Sequence, residues 1–173
     1  MRQLLLMRHA KSSWDDPRLS DHDRPLNPRG RAAATAMRRM MQDVGLAPDL
    51  ILVSTARRTL QTLEALEPWE DTPLVEPMDG LYLATSAQLL QILRRTAETV
   101  RSVLLLGHNP GLHDLALELA APGDPALHQR LVAGFPSGAL AEFALPSGWA
   151  GLEPAGARLL RLVSPRDLPP GAE

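Results

Sequence analysis

Two histidines follow short apolar runs directly: His9 comes after Leu4-Leu5-Leu6-Met7-Arg8, and His108 comes after Val103-Leu104-Leu105-Leu106-Gly107. A third run, Leu50-Ile51-Leu52-Val53, leads into Ser54-Thr55-Ala56-Arg57-Arg58. Ligand sites in open α/β sheets form beyond the carboxyl ends of the strands. If the three runs are strands, two imidazoles, arginines and two helix amino termini converge there. Arginine forks bind phosphate oxygens in bidentate fashion, and helix amino termini add unpaired N–H groups and a favourable dipole. A neutral imidazole among them is a competent nucleophile toward phosphorus. A second imidazole, if protonated, can stabilise the equatorial oxygens as phosphoryl transfer proceeds. One histidine after a buried strand is most often structural. Two in matching positions, each beside an arginine or a helix start, are harder to ascribe to packing.

The elements that must position these residues can be read along the chain. Leu4–Met7 reads as a buried strand, and residues 8–26, polar and broken by Pro17 and Pro25, read as a loop long enough to be functional. Asn27-Pro28 has the form of a helix N-cap and first turn, and Gly45 ends that helix. Leu50–Val53 is the second strand, with Ser54 and Thr55 expected to cap a helix running to about Leu66. A short strand near Leu74-Val75, a helix from Ser86, and a third strand at Val103–Leu106 follow, then a helix to about Ala121. Ala139–Leu145 and Arg158–Val163 are the last strands, and the tail from about residue 165 to 173 is expected to be loosely ordered. Strands alternating with helices of this length imply an α/β protein with a largely parallel sheet.

Composition narrows the chemistry. The 173 residues suit one domain spanning 1–173. The absence of cysteine removes thiolate nucleophiles, disulfides and zinc ribbons. A net charge of −2 gives no general attraction for nucleic acid or anionic lipid. No run approaches the roughly 18–20 apolar residues of a membrane span, so the cytoplasm is the expected location. Glycine-rich nucleotide loops are missing, and His108, His113 and Asp114 lack the spacing of helical metal ligands, so neither cofactor nor metal is expected. Asp21-His22-Asp23 superficially matches a phosphoaspartate motif but follows no apolar strand. His22, His113 and His128 read as surface or capping residues. Trp14 is either a hydrophobic anchor for the first loop or a wall facing substrate.

Several segments in order carry a family resemblance. Leu5-Leu6-Met7-Arg8-His9-Ala10-Lys11-Ser12-Ser13-Trp14 and Gly107-His108-Asn109-Pro110-Gly111 are joined by Asp23-Arg24-Pro25-Leu26-Asn27 with Gly30, by Ser54 through Arg58 with Gln61-Thr62, by Phe135-Pro136-Ser137-Gly138-Ala139, and by Leu162 through Leu168. This pattern, over nearly the whole chain, resembles the histidine phosphatase superfamily, and most closely the small SixA-type phosphohistidine phosphatases. The resemblance implies a three-layer α/β/α sandwich of the phosphoglycerate mutase-like kind, with a mostly parallel central sheet. It implies His9 as the nucleophile forming a phosphohistidine intermediate, Arg8 and Arg58 as clamps on the phosphoryl oxygens, and His108 as the second pocket histidine. Arg24 and Asn27 match a segment at the mouth of the pocket, which implies substrate or phosphate contacts. Asn109 either caps its helix or contacts substrate, and Arg57 falls one place early and reads as a surface residue.

Two departures bear on function. Larger members carry an acid for an oxygen leaving group within the stretch matching 70–84. Glu76 and Asp79 lie there without the flanking motif, so neither receives that role. Its absence suits an imidazole leaving group, since a phosphoramidate bond needs less assistance than an ester. Thr55 stands where proline is common, and little more than an altered helix start is expected. The leading expectation is a metal-independent phosphatase acting on phosphohistidine of a protein, either a histidine-phosphotransfer domain or a sugar-transport phosphocarrier, in an open pocket that also takes phosphate-like anions. A small-molecule phosphomonoesterase or pyrophosphatase using Glu76 or Asp79, and a phosphate-binding module without turnover, are the alternatives.

Overall fold

Successive residues of a strand face opposite sides of its sheet, and the apolar runs exploit this on both faces. The computed structural model describes residues 1–169. Its six-stranded sheet comprises β1 (Arg2–Arg8), β2 (Leu50–Ser54), β3 (Leu74–Met78), β4 (Ser102–Gly107), β5 (Leu140–Leu145) and β6 (Arg158–Val163), in the order β3-β2-β4-β1-β5-β6. Leu5, Met7, Ile51, Val53, Leu104 and Leu106 pack on one side with Met37 and Met41 of α1 (Pro28–Asp43) and Leu63 and Leu66 of α2 (Arg57–Leu66). Leu4, Leu6, Leu52, Val103 and Leu105 pack on the other, against α3 (Ser86–Arg94), α4 (Gly111–Leu119) and α5 (Pro125–Ala133). The result is the expected three-layer α/β/α sandwich. Both faces of the central strands are sealed, which is why those strands read as continuous apolar runs rather than alternating ones.

β1, β2, β3 and β4 are mutually parallel, whereas β5 runs antiparallel to both β1 and β6. The chain leaves β1, crosses to β2 and β3, and returns to insert β4 between β2 and β1. This reversal opens a crevice at the carboxyl ends of β1 and β4. Register there pairs Arg8 with Gly107, so the next residues along each strand, His9 and His108, emerge side by side.

Three local expectations need correction, and a fourth holds. Ser54 and Thr55 do not cap α2: its N-cap is Ala56 and carries no side-chain cap bond, while the Ser54 hydroxyl accepts from the Ala56 N–H at 3.2 Å and meets His108 Nε2 at 2.8 Å. Helix α5 has no counterpart in the sequence reading. Asp124 caps it by accepting from Ala126 and Leu127 N–H, and Pro125 opens it. Only Leu131 of this helix is buried, so its apolar periodicity is faint. The tail is ordered farther than expected. Pro165–Asp167 forms a 3-10 turn in which Asp167 accepts from Ser164 N–H and pairs with Arg130 at 3.0 Å, and residues 170–173 lie outside the described part. Asn27 does cap α1, its Oδ1 accepting from Gly30 N–H at 2.8 Å.

Candidate active site

The crevice at the ends of β1 and β4 widens into a pocket of about 450 Å³ lined by Arg8, His9, Arg24, Arg58, His108 and Asn109 from the expected set. Lys11, Ser12, Trp14, Asp21, Leu83 and Ser137 complete it. The strand ladder holds His9, whose N–H donates to Gly107 carbonyl at 3.1 Å. Gly138 N–H donates to both the Arg8 and His9 carbonyls from the other side. The imidazoles of His9 and His108 lie with ring centroids 5.3 Å apart, and both residues are more than nine-tenths buried.

Hydrogen bonding fixes the tautomer of His9. Its Nδ1 lies 2.7 Å from the Ala10 carbonyl, which can only accept, so Nδ1 carries the proton and Nε2 keeps its lone pair. Burial pushes the His9 pKa down to about 4, and the cationic charges of Arg58, Arg8 and Arg24 add to the effect against the opposing bond to Ala10. His108 is pushed to about 3, chiefly by burial and then by His9 and Arg58. Both imidazoles are therefore neutral near pH 7, so stabilisation by a protonated second ring is not available there. His108 Nε2 contacts Ser54 Oγ at 2.8 Å, while Nδ1 lies 3.4 Å from Arg58 Nη2.

The arginines are held by backbone and by one carboxylate. Arg58 is buried, donating through Nη1 to the Asp21 carbonyl at 2.7 Å and through Nη2 to Asp21 Oδ2 at 3.0 Å. Arg24 donates to Ser12 Oγ, Ser13 carbonyl and Asp21 Oδ1. Arg8 donates to the Phe135 carbonyl at 3.3 Å. The Nε of both Arg8 and Arg58 is buried without a protein partner, as is Asn109 Oδ1. Buried polar atoms of this kind cost free energy when nothing pairs with them.

Two expectations about asparagines change. Asn27 is outside the pocket lining, its side chain committed to the α1 cap, so the expected contact with substrate is replaced by a structural role. Asn109 does not cap α4, whose N-cap is Pro110. Its Nδ2 instead donates to Phe135 carbonyl at 2.7 Å from within the pocket wall. The two carboxylates weighed as acids are also elsewhere. Glu76 lies on β3 in a separate groove with Leu50, Leu52 and Leu74, and Asp79 accepts from the Thr55 hydroxyl at 2.6 Å. Thr55 does more than alter the helix start, since its oxygen also lies 3.1 Å from His22 Nε2.

Sequence reasoning passed over Asp21, Tyr82 and Leu83. Tyr82 donates its hydroxyl to Asp21 Oδ2 and packs edge-on against both His22 and His108. Asp21 is held well below the usual carboxylate range, at about 2, by the Tyr82 hydroxyl first and then by Arg58 and Arg24. The i, i+3 spacing of Asp21 and Arg24 was the available signal for the carboxylate. Nothing local marks Tyr82 or Leu83. Trp14 proves to be a wall rather than an anchor: it stays 75% exposed, with the Arg24 guanidinium carbon 3.4 Å from its ring centroid.

A family model for the histidine phosphatase superfamily (branch 1) matches residues 4–81. A protein designated putative phosphohistidine phosphatase SixA from Nakamurella multipartitia superposes with a TM-score of 0.82 at 32% identity, covering 95% of this chain and 96% of that one. One of the same designation from Agrobacterium tumefaciens gives 0.79 at 33% identity, over 94% and 97%. An uncharacterized protein of Mycobacterium tuberculosis is 35% identical over 162 residues, spanning 92% of this chain and all of the relative. The chain belongs to the histidine phosphatase superfamily, and it is a phosphatase. Within that superfamily it is SixA-like.

Proposed function

We propose that this phosphatase removes the phosphoryl group from phosphohistidine on a protein partner, without a metal, by way of a phosphohistidine intermediate on His9. The observation that carries this reading is the 2.7 Å bond from His9 Nδ1 to Ala10 carbonyl, which leaves the Nε2 lone pair of a neutral ring free in a pocket of arginines. Nε2 forms a bond to phosphorus as the substrate's N–P bond breaks. A substrate ring protonated on its other nitrogen leaves as neutral imidazole, so no acid is required. His9 is then an N-phosphorylated imidazolium whose Nδ1–H stays on the Ala10 carbonyl. Water attacks phosphorus in line, the His9 N–P bond breaks, and the water's protons pass to the phosphate and solvent while His9 returns neutral. Arg8 and Arg58, which line the pocket, hold the oxygens, and His108 contributes one N–H at most.

Leaving-group chemistry favours phosphohistidine over an ester. Asp21 is the one carboxylate among the pocket-lining residues, and a group held ionised by Tyr82, Arg58 and Arg24 cannot donate a proton near pH 7. The segment between β3 and α3 forms only a short 3-10 turn at Asp79–Leu81, so among the described residues this segment builds no lid, and the open pocket admits a side chain standing on another protein, such as a histidine-phosphotransfer domain or a phosphocarrier. The SixA designation of two relatives points the same way.

The test compares a phosphohistidine-bearing protein with an aryl phosphate ester in EDTA, using wild type and His9→Ala, with an alkaline quench to preserve labelled enzyme. The expected result is turnover of phosphohistidine, transient label on the wild type, and a loss of at least about a thousandfold in His9→Ala. Faster turnover of the ester, or undiminished turnover in His9→Ala, sinks the proposal.

A further inference from the structure

Among the pocket-lining residues, four cations (Arg8, Lys11, Arg24 and Arg58) face the single carboxylate of Asp21. That carboxylate is in direct contact with two of them. Oδ2 lies 3.0 Å from Arg58 Nη2, and Oδ1 lies 3.1 Å from Arg24 Nη2 while also accepting from Arg24 Nε. Arg58 is 3% exposed and Arg24 7%, whereas the Asp21 side chain is 41% exposed, so the acid reaches two buried cations while remaining partly in water. The Tyr82 hydroxyl donates to the same Oδ2, and the Asp21 carbonyl separately accepts from Arg58 Nη1.

We infer that Asp21 is a built-in counter-anion: by sharing Arg58 and Arg24 with the phosphoryl group it keeps inorganic phosphate weakly bound and lets the product leave. The inference rests on the reading above only in requiring that a phosphoryl group occupy this pocket. A pocket designed only to bind phosphate gains from every nearby cation and loses from every anion. An enzyme gains nothing from holding its product tightly, and product release often limits turnover. Asp21 offsets part of the attraction that Arg58 and Arg24 exert on a dianion, and it does so equally for substrate and product. A carboxylate that served only to aim Arg58 would have the opposite signature, since its removal would loosen the guanidinium and weaken anion binding. Asp21→Asn separates the two roles. It keeps an acceptor oxygen and the backbone carbonyl that hold Arg58 while deleting the charge.

Inorganic phosphate is titrated calorimetrically into wild type, Asp21→Asn and Asp21→Ser at fixed ionic strength, with melting curves to establish that each variant is folded. Both variants should bind phosphate on the order of tenfold more tightly, as expected from removing one charge near a dianion. In turnover, phosphate inhibition should tighten in parallel and kcat should fall together with KM. Unchanged or weaker phosphate binding in Asp21→Asn overturns the inference and leaves Asp21 as an aligning residue. The titration contains no substrate. A wild type that fails to turn over phosphohistidine therefore sinks the functional reading without deciding the role of Asp21.

Discussion

Two regions deliver charge to the same pocket by different means. His9 and His108 stand at the ends of β1 and β4, where the ladder pairs Arg8 with Gly107 and the preceding leucines are fully buried. Trp14, Asp21, Arg24 and Tyr82 come from the loop before α1 and the turn after β3. Their places are set by side-chain bonds: Arg24 to Ser12 and Ser13, Asp21 to Arg24 and Arg58, Tyr82 to Asp21. The proposed nucleophile is thus fixed by the hydrophobic core, which contributes about 1.5–3 kcal/mol per buried leucine, and the surrounding charges are fixed by a network that must stay satisfied to hold. Chemistry that tolerates no misplacement sits on the first scaffold, and adjustable binding sits on the second.

The two regions are joined where helix starts press on loop backbone, and this gives the largest expected effects. A Cβ on Gly30, in the first turn of α1, would lie 2.1 Å from the Lys11 carbonyl oxygen, and one on Gly111, at the start of α4, would lie 2.0 Å from that of Ala84. Both contacts are with backbone, so the loops must move away from the helices. Gly30→Ala and Gly111→Ala are each expected to destabilise by about 3 kcal/mol, lowering Tm by roughly 6–12 °C for a domain of this size. Unchanged melting in either variant would mean that the loops can give way freely and that the scaffolds are uncoupled.

Acid should separate the regions next. The folded-state pKa values of His9 and His108, about 4 and about 3, lie below the 6.5 of an exposed histidine. As pH falls from about 6.5 toward 4 the unfolded chain takes up protons that the folded chain refuses, so stability declines with falling pH. The two histidines together should cost about 2 kcal/mol between pH 7 and pH 5.5. Asp21 acts only lower. Its depressed pKa gives stability that is present above the usual carboxylate range and is lost as pH falls from about 3.8 toward 2. Denaturant melts at several pH values check this, with His9→Ala expected to lose about half of the decline above pH 5. A decline that His9→Ala leaves intact would show that His9 is not the neutral, desolvated ring described.

The same contrast explains what the sequence could reveal. Residues tied to apolar periodicity were legible: the three buried runs fix β1, β2 and β4, and with them His9, Arg58 and His108, because burial on both faces leaves an unmistakable pattern. The Asn27 cap was legible as local helix chemistry, though its role in the site was not, since a single oxygen can cap or bind but here does the first. Asp21 and Tyr82 are 61 residues apart and meet only through tertiary structure, so the i, i+3 spacing with Arg24 could hint at the carboxylate but nothing local announces its tyrosine partner. Helix α5 escaped because it buries one leucine and relies on its cap.

Trp14 supplies the smallest expected effect and the sharpest probe of the loop scaffold. Its ring stacks on the Arg24 guanidinium while most of its surface faces water, a geometry worth about 0.5–1 kcal/mol. Arg24 keeps its bonds to Ser12, Ser13 and Asp21 without it, so Trp14→Ala should cost less than about 1 kcal/mol in stability. As a wall of the pocket mouth it should act on binding rather than chemistry: KM for a phosphohistidine protein is expected to rise by up to about fivefold, with kcat within about twofold and Trp14→Phe recovering most of the loss. A fall in kcat matching that of Arg24→Ala would instead make the tryptophan the support on which Arg24 depends, and the polar network would no longer suffice to hold the loop charges in place.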